Sequence, residues 1–118
     1  MSTFPRTFLR RSGSTRSGAQ FDQRTIDAVW NKAITVLGAD PNVLRKDICG
    51  AWIERSRYGE TTSEGRGWEI DHIVPVSRGG TDVLSNFQAL QWQNNRRKGD
   101  TFPIVPSSFA AVVARTNS

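Results

Sequence analysis

Apolar residues recur at helical spacing in the N-terminal third of the chain. They fall at i, i+3, i+4, i+7, i+8 and i+11 and form one continuous stripe: Ile26, Val29, Trp30, Ala33, Ile34 and Leu37. Asp22 stands before the stripe as the predicted N-cap, and Gly38 stands after it as the predicted C′ residue. The pattern therefore predicts a helix over residues 23–37 whose apolar face packs in the core.

Further along the chain the spacing changes to the alternation of a strand. Apolar and polar side chains alternate from Trp68 to Asp71, and Pro75 with the Gly79-Gly80 pair predicts the end of that strand and a turn. A second short apolar group follows at residues 86–90. Residues 91–98 (QWQNNRRK) are compatible with a short helix that Gly99 stops. The pattern of residues 43–58 is ambiguous, and residues 59–67 are predicted to be a loop.

Composition limits what the chain can be. Its 118 residues and 13.2 kDa fit one small domain, and no stretch approaches the ~20 apolar residues of a membrane span. A single cysteine, Cys49, excludes an internal disulfide framework and an all-cysteine zinc site within one chain. His72 is the only histidine, so any imidazole chemistry must take place there.

The net charge of +5 is concentrated at the N-terminus. Residues 1–20 carry four arginines and no acid, whereas residues 21–67 and 68–100 are each electrically neutral. We interpret residues 1–20 as a disordered basic arm, which is either a solvated tail, a phosphate-contacting arm or a targeting segment. The apolar run 109–114 in the C-terminal tail is compatible with a helix or a strand.

The segment 68–100 combines the side chains of a metal-assisted hydrolase. Asp71 and His72 are adjacent at the predicted end of a strand, and Asn95 and Lys98 share one face of the predicted helix. If the hairpin folds back onto that helix, Asp71 and Asn95 present two oxygens to one metal, with His72 beside it as a base. Oxygen ligands with open positions favour Mg²⁺ or Mn²⁺.

One geometric difficulty accompanies this arrangement. Neighbouring side chains on a regular strand point to opposite faces, so Asp71 and His72 do not both aim at one phosphate from ideal β geometry. The strand is therefore expected to distort or to end at this pair.

The segment resembles the HNH endonuclease family. The resemblance is carried by an ordered set of residues: Asp71-His72-Ile73, Pro75, Gly79-Gly80, Asp82, Asn86, Leu90, Asn95 and Lys98-Gly99-Asp100. It implies an α+β fold with a ββα-metal (His-Me finger) core at about residues 66–100, inside a nuclease domain over residues 21–100. An N-terminal packing helix and flexible termini, including the tail 101–118, complete the expected organisation.

The resemblance also implies roles for single residues. His72 is expected to be the general base, and Asp71 and Asn95 are expected to bind one divalent ion, Mg²⁺ or Mn²⁺. Asn86 is expected to brace the loop and orient the histidine. The expected nucleic-acid contacts are Arg78, Arg96, Arg97 and Lys98. The implied reaction is hydrolysis of a DNA phosphodiester that leaves a 5′ phosphate and a 3′ hydroxyl.

The chain departs from the family where many members carry two Cys-x-x-Cys pairs that bind zinc. The corresponding positions resemble Cys49 with Trp52 and Gln91 with Asn94, so no structural zinc is expected. Apolar packing of Trp52, Trp68 and Trp92 is expected in its place.

The expected partner is DNA, with a homodimer or a phage or host DNA-processing protein as a further partner. No membrane and no small-molecule cofactor are expected, and the expected location is the cytoplasm. The alternative is a catalytically silent nucleic-acid-binding module of the same fold. Retention of Asp71, His72 and Asn95 together favours the nuclease, because binding alone requires none of them.

Overall fold

The structure is a computed structural model that describes residues 12–63 and 65–101. Two helices and two antiparallel two-stranded sheets make up the regular structure of these residues. In chain order they are α1 (Gln23–Trp30), β1 (Leu44–Lys46), β2 (Trp52–Glu54), β3 (Trp68–His72), β4 (Phe87–Gln91) and α2 (Trp92–Lys98). The fold is α+β, as predicted, and β3, β4 and α2 form a ββα unit.

The β3–β4 hairpin is paired along its whole length, from Trp68 opposite Gln91 to His72 opposite Phe87. Two short 3-10 turns, Val76–Arg78 and Leu84–Asn86, occupy the connection. A Cβ atom on Gly80 would lie 1.7 Å from the carbonyl oxygen of Val74, so only glycine fits this close approach. The connection thus folds tightly over the end of the hairpin where β3 finishes.

Helix α2 follows β4 without a connecting residue. The side-chain oxygen of Gln91 accepts hydrogen bonds from the backbone N–H groups of Gln93 and Asn94, at 2.9 and 3.1 Å, and so caps the helix. Gly99 ends it with a positive φ of 51°. The predicted short helix and its glycine stop are therefore present.

Helix α1 is shorter than the predicted helix over residues 23–37, which is a correction. Its N-cap is Asp22, as predicted, with the carboxylate 2.8 Å from the backbone nitrogen of Thr25. The helix ends at Trp30 because later backbone groups bond elsewhere: Ile34 forms an antiparallel bridge with Lys46. Leu37, predicted to lie on the buried stripe, is fully exposed.

The core lies between α1 and the two sheets. Its fully and largely buried apolar residues are Phe21, Val29, Trp30, Ile53, Trp68, Ile70, Phe87 and Ala89. Trp68 lies at the centre of an aromatic group, with ring centroids 5.4 Å from Trp30 and 4.9 Å from Tyr58. Within residues 12–63 and 65–101 no helix is both long and apolar enough to cross a membrane.

Residues 12–20 pack against the domain, in contrast to the predicted disordered arm over residues 1–20. Ser14 is only 6% exposed, and the backbone of Gly13 lies against the side chain of Glu69. The N–H of Arg16 donates to both carboxylate oxygens of Asp82, each at 3.1 Å. The rest of the predicted arm, and the predicted tail beyond residue 101, lie outside the described residues.

Candidate active site

A small polar cleft of about 110 Å³ opens where β3 ends beside α2. It is lined by Ser12, Gly13, Ile70, Asp71, His72, Asn95, Gly99 and Asp100. Three of the predicted site residues, Asp71, His72 and Asn95, thus line one cleft. Ser12 and Gly13 belong to residues 1–20, which the sequence predicts to be a disordered arm.

Asp71 is a buried carboxylate with two partners. One oxygen accepts a hydrogen bond from the Gln88 side chain at 2.9 Å, and the other lies 3.2 Å from the Lys98 ammonium. Burial raises the pKa of Asp71, whereas the Gln88 hydrogen bond and the positive charge of Lys98 act in the opposite direction. The two partners therefore hold the carboxylate in one place beside the cleft.

Asn95 is oriented by Glu69. The amide nitrogen of Asn95 donates to a Glu69 carboxylate oxygen at 2.8 Å, and Arg96 forms a two-pronged ion pair with the same carboxylate. An amide whose nitrogen is fixed in this way has its oxygen fixed as well. Asn95 also lines the cleft, so its side-chain oxygen is the atom of this amide that could act there as an acceptor or ligand.

His72 is the last residue of β3, and its side chain is 2% exposed. Nε2 lies 2.8 Å from a carboxylate oxygen of Asp82. The ring meets Phe87 edge-on, with centroids 5.2 Å apart and planes at 82°, and packs near Phe21. The imidazole is therefore held in one orientation by apolar rings and one carboxylate.

The alternation of β3 separates Asp71 from His72 in the way the sequence predicts. Asp71 stands opposite Gln88 and His72 opposite Phe87, and each side chain contacts its cross-strand neighbour. The two side chains consequently leave the strand on opposite faces. Both still line the cleft because β3 ends at His72.

Asn86 braces the hairpin connection and is not among the residues that line the cleft. Its side-chain oxygen accepts from the Val74 N–H at 2.8 Å, and its nitrogen donates to the carbonyls of Val74 and Thr81. These bonds tie the two ends of the connection together. Asn86 therefore acts on the site through the loop.

Lys98 is not at the surface, so the predicted phosphate contact by this residue does not fit the geometry. It is 1% exposed, and its ammonium donates to the carbonyl of His72 at 3.1 Å besides pairing with Asp71. A cation buried this deeply needs such partners. Lys98 thus joins α2 to the end of β3.

The other basic residues of the prediction are exposed on elements beside the cleft. Arg78 ends the 3-10 turn that follows β3, and Arg96 and Arg97 lie in the last turn of α2. Arg96 is paired with Glu69, and Arg97 donates to the side-chain oxygen of Asn94 at 3.2 Å.

Comparison with known proteins agrees with the geometry. The model of the HNH endonuclease family matches residues 48–101, which contain β2, the whole ββα unit and the cleft residues Asp71, His72 and Asn95. Residues 48–101 form an HNH endonuclease domain. No curated protein and no solved structure gives a significant match. The family consists of endonucleases that act on DNA, so the match supports a nuclease-type function for this segment and DNA as its partner.

The donor set of the HNH cleft fits a hard divalent cation. It includes the Asp71 carboxylate and the Asn95 amide, whose oxygens are both of the type that Mg²⁺ and Mn²⁺ prefer. Among the described residues no group of three or more His, Cys, Asp or Glu side chains is placed to hold a metal. Two protein oxygens leave the remaining positions of such an ion to water and substrate, as is common for Mg²⁺.

A buried carboxylate occupies the region where many HNH proteins carry zinc-binding cysteines. Asp47 is 1% exposed and accepts four hydrogen bonds. One oxygen takes the N–H groups of Cys49 and Ala51, and the other takes the backbone N–H of Gln91 and the side-chain nitrogen of Asn94. Asp47 therefore ties the β1–β2 turn to the junction of β4 and α2.

This network corrects the expectation that three tryptophans fill the place of the zinc. Trp68 packs in the core with Trp30 and Tyr58, and the indole nitrogen of Trp92 donates to the carbonyl of Thr62. The connection between Cys49 and the pair Gln91 and Asn94, the positions where many HNH proteins carry cysteines, is polar. Cys49 is buried beside it, and burial, followed by the charge of Asp47, raises the pKa of its thiol to about 12.

Sequence reasoning assigned no role to two residues of the HNH domain region that the structure singles out. Two of the four partners of Asp47 lie 44 and 47 positions later in the chain, and no local pattern reveals them. Asp82 belonged to the ordered set that carries the resemblance, so a signal for it was present. The sequence does not show that the Asp82 side chain contacts the His72 ring.

Proposed function

We propose that this protein is a metal-dependent endonuclease that hydrolyses DNA phosphodiester bonds and nicks one strand at a time. The products are a 5′ phosphate and a 3′ hydroxyl. The proposal rests on one observation above all: Asp71, His72 and Asn95 line the same cleft.

Asp71 and Asn95 are the residues that would hold one Mg²⁺ or Mn²⁺ ion. Such an ion, when bound, stabilises the negative charge that develops on the phosphate oxygens during cleavage. Lys98 and Gln88 hold the Asp71 carboxylate, and Glu69 holds the Asn95 amide, so the two oxygens are already placed before a cation arrives.

His72 is proposed to act as the general base that takes a proton from the attacking water. Its ring is buried among Phe21 and Phe87, and a single orientation is a requirement for efficient proton transfer. Asn86 contributes by bracing the connection that follows His72.

DNA is proposed to lie across the surface that carries Arg78, Arg96 and Arg97. All three side chains are exposed, and arginine is the residue best suited to phosphate oxygens. Contacts of this kind position the backbone and give no base specificity, so binding should weaken steeply as salt is raised.

The test is nicking of supercoiled plasmid with Mg²⁺, with Mn²⁺ and with a chelator. Wild type should nick only with metal, and His72→Ala should be slower by at least ~10²-fold, the scale of a lost general base. Arg97→Ala should weaken DNA binding more than Arg24→Ala, which removes the same charge from the exposed face of α1. Metal-dependent DNA binding without any cleavage would instead favour the catalytically silent module.

A further inference from the structure

The contact between His72 and Asp82 carries information about the proton on the histidine ring. Nε2 of His72 lies 2.8 Å from Oδ1 of Asp82. An ionised carboxylate only accepts hydrogen bonds, so Nε2 must be the nitrogen that bears the proton. In the neutral ring Nδ1 then carries no proton, so Nδ1 is the ring nitrogen that is able to accept a proton.

Asp82 is itself held from outside the matched HNH segment. The backbone N–H of Arg16 donates to both oxygens of its carboxylate, each at 3.1 Å. Arg16 is the second residue of a turn closed by a hydrogen bond from the Gly18 N–H to the Thr15 carbonyl at 2.8 Å. The turn therefore presents the N–H of Arg16 to a carboxylate that is otherwise 40% exposed.

We propose that Asp82 is a positioning residue that keeps the His72 proton on Nε2, and that the N-terminal segment holds Asp82 for this task through the Arg16 N–H. The inference rests on the proposed function of His72 as general base. It assigns a role in the reaction to residues 12–20, which also provide Ser12 and Gly13 to the wall of the cleft.

The Asp82→Asn variant distinguishes this role from a purely structural one. The two side chains have the same shape, but an amide has one acceptor and one donor end. Oδ1 of Asp82 both accepts from the Arg16 N–H and contacts Nε2, so the amide oxygen of the variant can still reach Nε2, but a neutral acceptor holds the Nε2 proton less strongly than a carboxylate does. The variant should therefore shift the ring proton toward Nδ1, whereas a structural contact would leave the tautomer unchanged.

The measurement is ¹⁵N NMR of the full, metal-free protein at a pH well above the usual histidine range, about pH 9. Since His72 is the only histidine, its two ring nitrogens give the only imidazole signals. Wild type should show the proton on Nε2 alone, and Asp82→Asn should show a population with the proton on Nδ1. In plasmid nicking, kcat of the variant should fall about tenfold or more with KM within about twofold, a part of the general-base contribution.

A second pair of variants tests the role of the N-terminal segment and does not alter Asp82. Arg16→Pro removes the N–H at a turn position that accepts proline, and Arg16→Ala removes the same charge but keeps the N–H. Only the proline variant should broaden or split the His72 ring signals.

An unchanged tautomer in both Asp82→Asn and Arg16→Pro would overturn the proposal, and so would a shifted tautomer with unchanged kcat. Failure of wild type to nick DNA would refute the proposed nuclease function, while the NMR result would still decide whether Asp82 controls the ring proton.

Discussion

Asp47 and Asp71 are both almost fully buried carboxylates, at 1% and 6% exposure, and they lie toward opposite ends of the β3–β4 hairpin. Asp47 accepts four N–H donors and connects the β1–β2 turn to the junction of β4 and α2. Asp71 has one amide and one ammonium as partners and borders the cleft. Burial is therefore the same in the two regions, and the partners distinguish a structural carboxylate from a candidate ligand.

The comparison also explains how the domain is held together at the end where other members use zinc. Four hydrogen bonds to one carboxylate connect the segments that a metal would otherwise join. We therefore expect a divalent cation to be needed only at the Asp71 end, so that removal of metal abolishes activity and leaves the fold intact.

Removal of metal should distinguish the Asp71 end of the hairpin, where activity depends on a cation, from the Asp47 end, where stability does not. With excess EDTA, plasmid nicking should fall to background, while the far-UV circular dichroism spectrum and the melting temperature stay within error of the untreated protein. The reason is that Asp47 provides its contacts without an ion. Loss of the spectrum on chelation would reveal a structural metal and contradict this comparison.

Replacement of Asp47 should have a large effect on stability. Asp47→Ala leaves the buried N–H of Gln91 and three further donors without their acceptor, and the free energy of unfolding should fall by about 3 kcal/mol or more. Denaturant unfolding measures this, with Asp40→Ala in an exposed loop as the control. A change no larger than that of the control would show that Asp47 does not hold the domain together.

Two neighbouring asparagines of α2 offer a smaller and more exact test. Asn94 donates to Asp47 at 3.0 Å, and Asn95 lines the cleft. Asn95→Ala should weaken Mn²⁺ binding about tenfold, since one ligand is lost, and should also cost about 1 kcal/mol of stability, since Glu69 loses a buried hydrogen bond. Asn94→Ala should cost about 1 kcal/mol of stability and leave Mn²⁺ binding unchanged. Titration calorimetry measures Mn²⁺ binding and denaturant unfolding measures stability in both variants. Weaker Mn²⁺ binding in Asn94→Ala with unchanged binding in Asn95→Ala would reverse the assignments.

The smallest effect concerns Cys49, beside Asp47. Because the pKa of its thiol is about 12, the reactive thiolate is scarce at pH 8, and iodoacetamide should alkylate the folded protein far more slowly than the unfolded chain. The rate should rise with pH toward that pKa. Equal alkylation rates in the folded and unfolded protein would mean that Cys49 is accessible to the reagent and that the region around Asp47 is not closely packed.

The sequence predicts the ββα unit well because each of its elements has a local cause. Alternation over residues 68–71, the Gly79-Gly80 turn and the stop at Gly99 are all properties of neighbouring residues. The predicted helix over 23–37 was too long for the opposite reason. In the last part of that range, Ile34 forms a bridge with Lys46 instead of helical hydrogen bonds. Helical periodicity does not predict such a tertiary contact.

The candidate site also contains some features that local sequence patterns predict and others that depend on tertiary contacts. Asp71, His72 and Asn95 could be singled out from the order and spacing of their segment. The buried position of Lys98, the network of Asp47 and the contact of Arg16 with Asp82 depend on which distant segments meet. The nucleic-acid contact expected of Lys98 required a surface position, and only the packing of α2 on β3 shows that this side chain points inward.

The central claim is that Asp71, His72 and Asn95 surround one divalent cation. Anomalous diffraction from crystals of the wild-type protein soaked in Mn²⁺ tests it most directly. The account predicts a single strong peak in the cleft, within coordination distance of the Asp71 carboxylate and the Asn95 side-chain oxygen, and its loss in Asn95→Ala. A peak elsewhere, or an empty cleft under conditions in which Mn²⁺ supports DNA cleavage, would contradict the account.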